Sequence, residues 1–268
     1  MSRALFVVST GRCGTQWLAH ALAQRLGDSA VVEHEPLDND YAPRAMLAAR
    51  DPHRLDAELA QPILEHIDSI EETLQSKPYI ECGYPAWSTI PYFVERFRDR
   101  VKIVHLVRDP IHTAYSWLTQ HAYTPPMSPH LRERVLLSPF DEGVRHPSYQ
   151  KRWASLTPYE KALYYWLEVN TLGVELAEST AVPVMRIRFE ELFRPESIDR
   201  LLAFAGLTAV NGEGEPPRVD EFRFALAAWD DPHLISRHPE VVSLASKLGY
   251  GTNAIDEESL RKRYLRVS

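Results

Sequence analysis

Short apolar runs alternate with segments of helical spacing along this chain. That alternation restricts the fold more than any single motif does. Residues 4–8, 30–33, 79–82, 101–107 and 182–189 read as strands. The run at 101–107 (VKIVHLV) is the most strand-like. Apolar runs without polar alternation belong to strands covered on both faces, as in a parallel sheet. Helical spacing is read at 15–26, 41–50, 55–74, 90–97, 111–121, 158–179, 198–205, 240–247 and 257–264. The expected fold is therefore α/β: a central parallel sheet flanked by helices on both faces. It is expected to form a single domain over 1–268. That domain carries a helical insertion at 37–76, a Pro-rich lid or loop at 123–158 and a helical C-terminal region at 207–268. The Pro-rich character comes from Pro125, Pro126, Pro129, Pro139, Pro147 and Pro158, and 211–217 reads as a loop.

Composition narrows the function. The chain has 268 residues, 44% hydrophobic and 25% charged, enough to bury a core without covalent staples. A net charge of -7 argues against a nucleic-acid partner, yet leaves room for a local basic site. No apolar run reaches the ~18 residues of a membrane span, and the N-terminus does not read as a signal peptide. Two cysteines, Cys13 and Cys82, exclude a disulfide scaffold, and the cytoplasm is the expected location.

The first strand runs into Ser9-Thr10-Gly11-Arg12-Cys13-Gly14-Thr15 and then a helix. Unpaired N–H groups and the helix dipole make such a helix start an anion site. Gly11 and Gly14 allow close backbone approach. Arg12 adds a fixed charge and Thr15 a hydroxyl donor. The nucleotide-triphosphatase loop G-x-x-x-x-G-K-[ST] is not matched, because Thr15 stands where its Lys belongs and Ser9 where its first Gly belongs. The alternative is an ordinary tight strand–helix turn.

The strand at 101–107 ends in Arg108-Asp109-Pro110. Open α/β sheets bind ligands at such strand ends. Asp109 suits a helix N-cap and Pro110 the first turn. Ser116, about two turns on, can face the anion that Arg108 faces. The alternative is an Arg108 paired with a neighbouring carboxylate. His105 reads as a core histidine within its strand.

Together these segments resemble the P-loop sulfotransferase family, whose donor is 3′-phosphoadenosine 5′-phosphosulfate. Arg12, Cys13, Gly14, Thr15 and Trp17 resemble its 5′-phosphosulfate loop. Arg108, Asp109, Pro110 and Ser116 resemble its 3′-phosphate motif. The stretch at 185–193 (MRIRFEELF) resembles its strand ending in an aromatic-acidic turn. The resemblance implies a P-loop nucleotide-binding fold and assigns roles. Gly14, Thr15 and neighbouring amides, through Cys13, Gln16 and Trp17, would hold the 5′-phosphate. Arg108 and Ser116 would hold the 3′-phosphate, and Trp17 and Phe189 would sandwich the adenine. Arg12 would hydrogen-bond the bridging oxygen as charge develops on the leaving phosphate. Glu190 and Glu191 are expected to cap the following turn.

Acceptor hydroxyls need a base. The cytosolic members carry a His on the strand before the 3′-phosphate motif, where this chain reads Glu81-Cys82-Gly83-Tyr84-Pro85. Carbohydrate-sulfating members carry a Glu in a Glu-Pro context, which here is Glu35 before Pro36. Glu35 is thus the first candidate base and His34 the second. The alternative is that Glu33 and Glu35 are solvated turn residues. No metal is expected: Asp38 stands where H-E-x-x-H needs its second His.

The expected activity is transfer of a sulfuryl group from that nucleotide to a hydroxyl, less readily an amine, with 3′-phosphoadenosine 5′-phosphate as product. The acceptor would be small: a sugar, glycolipid or metabolite. Tyr84, Trp87, Tyr123 and Trp153 are candidates to stack on it. The basic run Arg261-Lys262-Arg263 reads as a solvated helix face that could alternatively reach the 3′-phosphate. Two other functions fit less of the pattern: a small-molecule kinase with a degenerate loop, or a non-catalytic nucleotide-binding protein of this fold.

Overall fold

In the computed structural model, five strands form one parallel sheet in the order β2-β3-β1-β4-β5. The structure describes residues 3–48, 61–179, 182–210, 226 and 228–265. The strands are β1 (Ala4–Val8), β2 (Val31–Glu33), β3 (Tyr79–Glu81), β4 (Val101–Val107) and β5 (Val184–Arg188). All five expected strands are present. The helices are α1 (Thr15–Leu26), α2 (Pro43–Ala48), α3 (Gln61–Ser76), α4 (Ile90–Phe97), α5 (Pro110–Leu118), α6 (Pro158–Glu178), α7 (Phe189–Leu192), α8 (Pro195–Ala205), α9 (Pro239–Lys247) and α10 (Glu257–Tyr264). The expected helices at 41–50 and 55–74 extend partly outside the described residues, and the expected loop at 211–217 lies wholly outside them.

The absence of alternation in β1 has a direct cause. Ala4, Phe6 and Val8 enter one core, with Phe93, Phe97 and Trp166. Leu5 and Val7 enter another, with Leu18, Leu22 and Leu201. Each strand residue therefore meets an apolar layer.

Topology places the site. From β1 the chain moves to β2 at one edge, and from β4 it moves to β5 at the other. β1 and β4 are neighbours, in register from Ala4 opposite Val101 to Val8 opposite His105. Their carboxyl ends thus flank the point where strand order reverses, where open α/β sheets form a crevice. His105 is a core histidine: it is fully buried, its Nε2 lies 3.0 Å from Asn170 Oδ1, and burial pushes its pKa down to about 4.

The Pro-rich stretch folds as short turns, Leu131–Val135, Pro147–Lys151 and Trp153–Ser155. Val135, Leu136, Leu137 and Tyr149 are buried. The buried Glu168 of α6 accepts the backbone N–H groups of Arg145 and His146 at 2.9 and 2.8 Å. This stretch is a packed layer over α6. Among the described residues, no helix is long and apolar enough to cross a membrane.

Candidate functional site

The loop after β1 is wired from within. Ser9 Oγ accepts from Gly11 N at 3.1 Å, while Thr10 Oγ1 and Cys13 Sγ both donate to Gly11 O. Gly11, Arg12 and Gly14 all take positive φ. Such a turn directs successive N–H groups toward a concavity that suits an anion. Gly14, at φ 84°, opens α1 with no side-chain cap. A Cβ there would lie 3.0 Å from Leu192 Cδ2 and 3.3 Å from Phe189 Cε2, so the helix start closes onto the turn after β5 because residue 14 has no side chain.

Arg108 leaves β4 with 3% exposure. Its carbonyl accepts from the Trp166 indole at 2.9 Å, and Tyr250 donates to the Val107 carbonyl at 2.9 Å. Its Nη1 donates to the Arg12 carbonyl at 2.7 Å, and its guanidinium lies 4.4 Å over the Phe189 ring. The two arginines therefore come from adjacent strand ends. Burial, and next the Arg108 charge, push the Arg12 pKa down to about 10, still protonated at neutral pH. Arg12 Nε donates to the buried Ser116 Oγ at 3.2 Å. The serine of one expected phosphate motif thus touches the arginine of the other. As expected, Asp109 caps α5, accepting from His112 N at 2.9 Å, and Pro110 opens it.

Across the crevice, Thr15 Oγ1 lies 3.3 Å from His34 Nε2, which lies 3.4 Å from Glu35 Oε1. Burial pushes the His34 pKa down, and nearby His20 adds to this. Glu35 sits at φ 51°. Burial raises its carboxyl pKa to about 7; Asp38 and Glu81 add to this, while the Tyr84 N–H and Arg12 oppose it. Gly83 makes room for Glu35: a Cβ at 83 would lie 2.9 Å from Glu35 Cγ. Glu35 therefore fills the space that a side chain on this stretch would need. The ring of Tyr84 lies over Gly11 and packs edge-on to Trp117.

Several partners were not singled out from sequence. Phe193 packs edge-on to both Trp17 (4.9 Å) and Phe189 (5.0 Å), and its four-residue spacing from Phe189 was the available signal. The Tyr264 hydroxyl accepts from Arg108 Nη2 at 3.3 Å and donates to the His112 carbonyl at 3.0 Å, a long-range contact with no local signal. The expected capping holds for Glu191, which accepts from the Arg188 backbone N–H at the start of the turn, and fails for Glu190. Glu190 accepts from Tyr250 at 2.9 Å and Glu191 from Arg188 at 2.6 Å. A distant phenol takes Glu190, while Glu191 serves both the Arg188 guanidinium and the Arg188 backbone. Trp87 is fully buried, a core residue, while Tyr123 and Trp153 pack edge-on to each other. Arg261 pairs with Glu257 and lies over Trp229, whereas the Arg263 charge reaches His112. Gln16 is exposed on the first turn of α1. Among the described residues no group could hold a metal ion.

The family model described as "Sulfotransferase domain" matches residues 2–218. No curated protein matches the chain. Among solved structures, the chain is similar to a sulfotransferase from Alicyclobacillus acidocaldarius, with 15% identity, a TM-score of 0.53, and coverage of 93% of this chain and 97% of that one. It is similar to the sulfotransferase domain of the Synechococcus PCC 7002 olefin synthase, with 16% identity, a TM-score of 0.51, and 93% and 95% coverage. It is also similar to the sulfotransferase domain from the curacin biosynthetic pathway, with 16% identity, a TM-score of 0.50, and 93% and 98% coverage. At these identities the likeness is one of fold.

Proposed function

Because the chain belongs to the sulfotransferase domain family, we propose that the crevice between β1 and β4 binds 3′-phosphoadenosine 5′-phosphosulfate and that Glu35 accepts the proton of an acceptor hydroxyl. The observation that carries this reading is the crowding of two guanidiniums, Arg12 and Arg108, at adjacent strand ends beside a turn in which Gly11, Arg12 and Gly14 take positive φ. Like charges brought this close in a partly buried site call for anions. A donor with separate 5′ and 3′ phosphates supplies them.

The donor brings an activated sulfuryl group. The Gly14–Thr15 helix start holds its 5′-phosphate, and Arg108 and Ser116 bind its 3′-phosphate, with Arg263 near enough to add charge. Trp17, Phe189 and Phe193 offer aromatic faces to the adenine. Glu35 takes the hydroxyl proton while the acceptor oxygen bonds to sulfur. The bond from sulfur to the bridging oxygen breaks, and its electron pair stays on the phosphate, where Arg12 stabilises it. Positioning and charge stabilisation carry such transfers. Above about pH 7 Glu35 is a carboxylate beside a neutral His34, so Glu35 is the better base. The acceptor is small, a sugar, glycolipid or metabolite hydroxyl, with Tyr84 at its edge.

Incubation with 35S-labelled donor and a panel of sugars, glycolipids and phenols tests the reaction, beside γ-labelled ATP with magnesium. Label transfer from the sulfuryl donor alone is expected. Transfer from ATP alone would replace this reading with a kinase. Donor binding with no transfer to any acceptor would replace it with a non-catalytic binding protein.

A further inference from the structure

Between the helix start of α1 and Glu35 stands His34, a side chain that the transfer described above leaves without a task. It is in contact on both sides. Its Nε2 lies 3.3 Å from Thr15 Oγ1, at the first position of α1, and 3.4 Å from Glu35 Oε1. One ring nitrogen therefore touches both the helix start that would face the donor and the carboxyl that would face the acceptor.

The backbone around His34 is fixed. Cys82 N donates to the Glu33 carbonyl at 2.9 Å, and Asp38 N donates to the Glu35 carbonyl at 2.8 Å. Glu35 itself takes φ 51°, a left-handed conformation uncommon outside glycine. These contacts hold the main chain, yet they leave the torsions of a long side chain free. Gly83 limits those torsions on one side, since Glu35 Cγ lies where a side chain at 83 would stand. His34 limits them at the carboxyl end.

The inventory of donors and acceptors selects one arrangement. Burial, with nearby His20, pushes the His34 pKa down, so the ring is neutral at neutral pH and one of its nitrogens carries the hydrogen. A carboxylate only accepts, whereas a hydroxyl accepts and donates. A hydrogen on Nε2 satisfies both neighbours. The Glu35 carboxylate takes it, the Thr15 oxygen shares it, and the Thr15 hydrogen is left to turn toward an anion in the loop. A hydrogen on Nδ1 would instead set the lone pairs of Nε2 and Glu35 against each other at 3.4 Å.

We propose that His34 is a positioning residue: its Nε2–H ties the Glu35 carboxylate to the Thr15 hydroxyl, so that the base and the donor's phosphate are held in one register. This inference rests on the readings of Glu35 as the proton acceptor and of Thr15 as a donor contact. It gives the histidine beside the base a part other than taking the proton.

The test has two readouts. The first is long-range 1H–15N NMR of the full chain labelled at histidine, with His34 assigned from His34→Gln. Above about pH 7 the wild-type ring is expected to carry its hydrogen on Nε2; a hydrogen on Nδ1, or on both nitrogens, overturns the proposal without any variant needing to transfer. The second is the rate of 35S transfer to the best acceptor of the panel above, in His34→Leu and His34→Gln. His34→Leu is expected to lower kcat by about tenfold to a hundredfold, with the affinity for 3′-phosphoadenosine 5′-phosphate held within about threefold. His34→Gln, whose side-chain amide still offers an N–H, is expected to recover most of that loss and to keep the rise in rate through about pH 7. Equal losses in the two variants, or no loss in His34→Leu, overturn the proposal. A rise that vanishes in His34→Gln but persists in Glu35→Gln makes His34 the base and overturns both readings. If the hydrogen is on Nε2 and Glu35→Gln transfers as fast as the wild type, the tie stands and the reading of Glu35 as the base is what fails.

Discussion

At the crevice between β1 and β4 the chain gathers cations, Arg12 and Arg108. At the neighbouring ends of β2 and β3 it gathers acids, Glu33, Glu35 and Glu81. The two regions use burial in opposite ways. In the first, burial makes a cation site that an anion relieves. In the second, it raises the proton affinity of a carboxyl until that group can take a proton near neutral pH. On the proposed function both are needed: one region to hold the charged donor, the other to prepare a neutral acceptor. The local means differ too. The cationic loop is fixed by its own hydrogen bonds, whereas Glu35 is placed by what another strand end lacks, a side chain at Gly83.

The sharpest way to break the contrast is to neutralise the proposed base, Glu35. Glu35→Gln is expected to lower kcat by roughly 10²–10⁴-fold and to lack the rise in rate through about pH 7 expected of the wild type, read from pH–rate profiles. The same change should stabilise the fold at high pH. The raised carboxyl favours the folded state when protonated, and that stability is lost as pH rises from its unfolded value of about 4.5 through about 7. Above that pH the variant should gain on the order of 1–3 kcal/mol in denaturant titrations, with no gain at pH 4.

Next in size is Arg12→Ala, expected to lower kcat by about 10²–10³-fold and to move the pH midpoint of the rate upward, because the Arg12 charge favours the Glu35 carboxylate. An equal loss of donor binding and of rate would make Arg12 a binding residue only. Gly83→Ala probes the join between the two regions, because its methyl would fall 2.9 Å from Glu35 Cγ. Displacement of Glu35, the proposed base, should cost about 10–100-fold in kcat, with donor affinity, measured by calorimetry, nearly unchanged. Smallest is Tyr264→Phe, which removes the hydroxyl between Arg108 and His112. A weakening of nucleotide binding by about threefold to tenfold is expected, as for one hydrogen bond, with kcat intact.

The two regions also differed in how much of them the sequence disclosed. The sheet and the cationic half were legible because their signals are local. Five apolar runs gave five strands. Glycines flanking Arg12, and Arg-Asp-Pro at a strand end, mark anion sites by spacing along the chain. The acidic half depends on which strands lie side by side. Glu35 stood out by its Glu-Pro context, but the fit of Glu35 against Gly83, and the Tyr79 bridge from Glu33 to Glu81, exist only once β2 and β3 pair. The Tyr264 contact with Arg108 was hidden for the same reason. The acidic turn after β5 was half legible: Glu191 accepts from the Arg188 backbone, while Glu190 is taken by the distant Tyr250.

The division of labour between the two regions is tested most directly by calorimetric titration with 3′-phosphoadenosine 5′-phosphate of three proteins side by side: wild type, Arg108→Ala and Glu35→Gln. The account predicts that Arg108→Ala loses roughly 1.5–3 kcal/mol of binding, as for a charged hydrogen bond, and that Glu35→Gln binds as the wild type does. If Arg108→Ala binds like the wild type, or Glu35→Gln loses as much as Arg108→Ala, the nucleotide does not sit in the crevice between β1 and β4, and the account is contradicted.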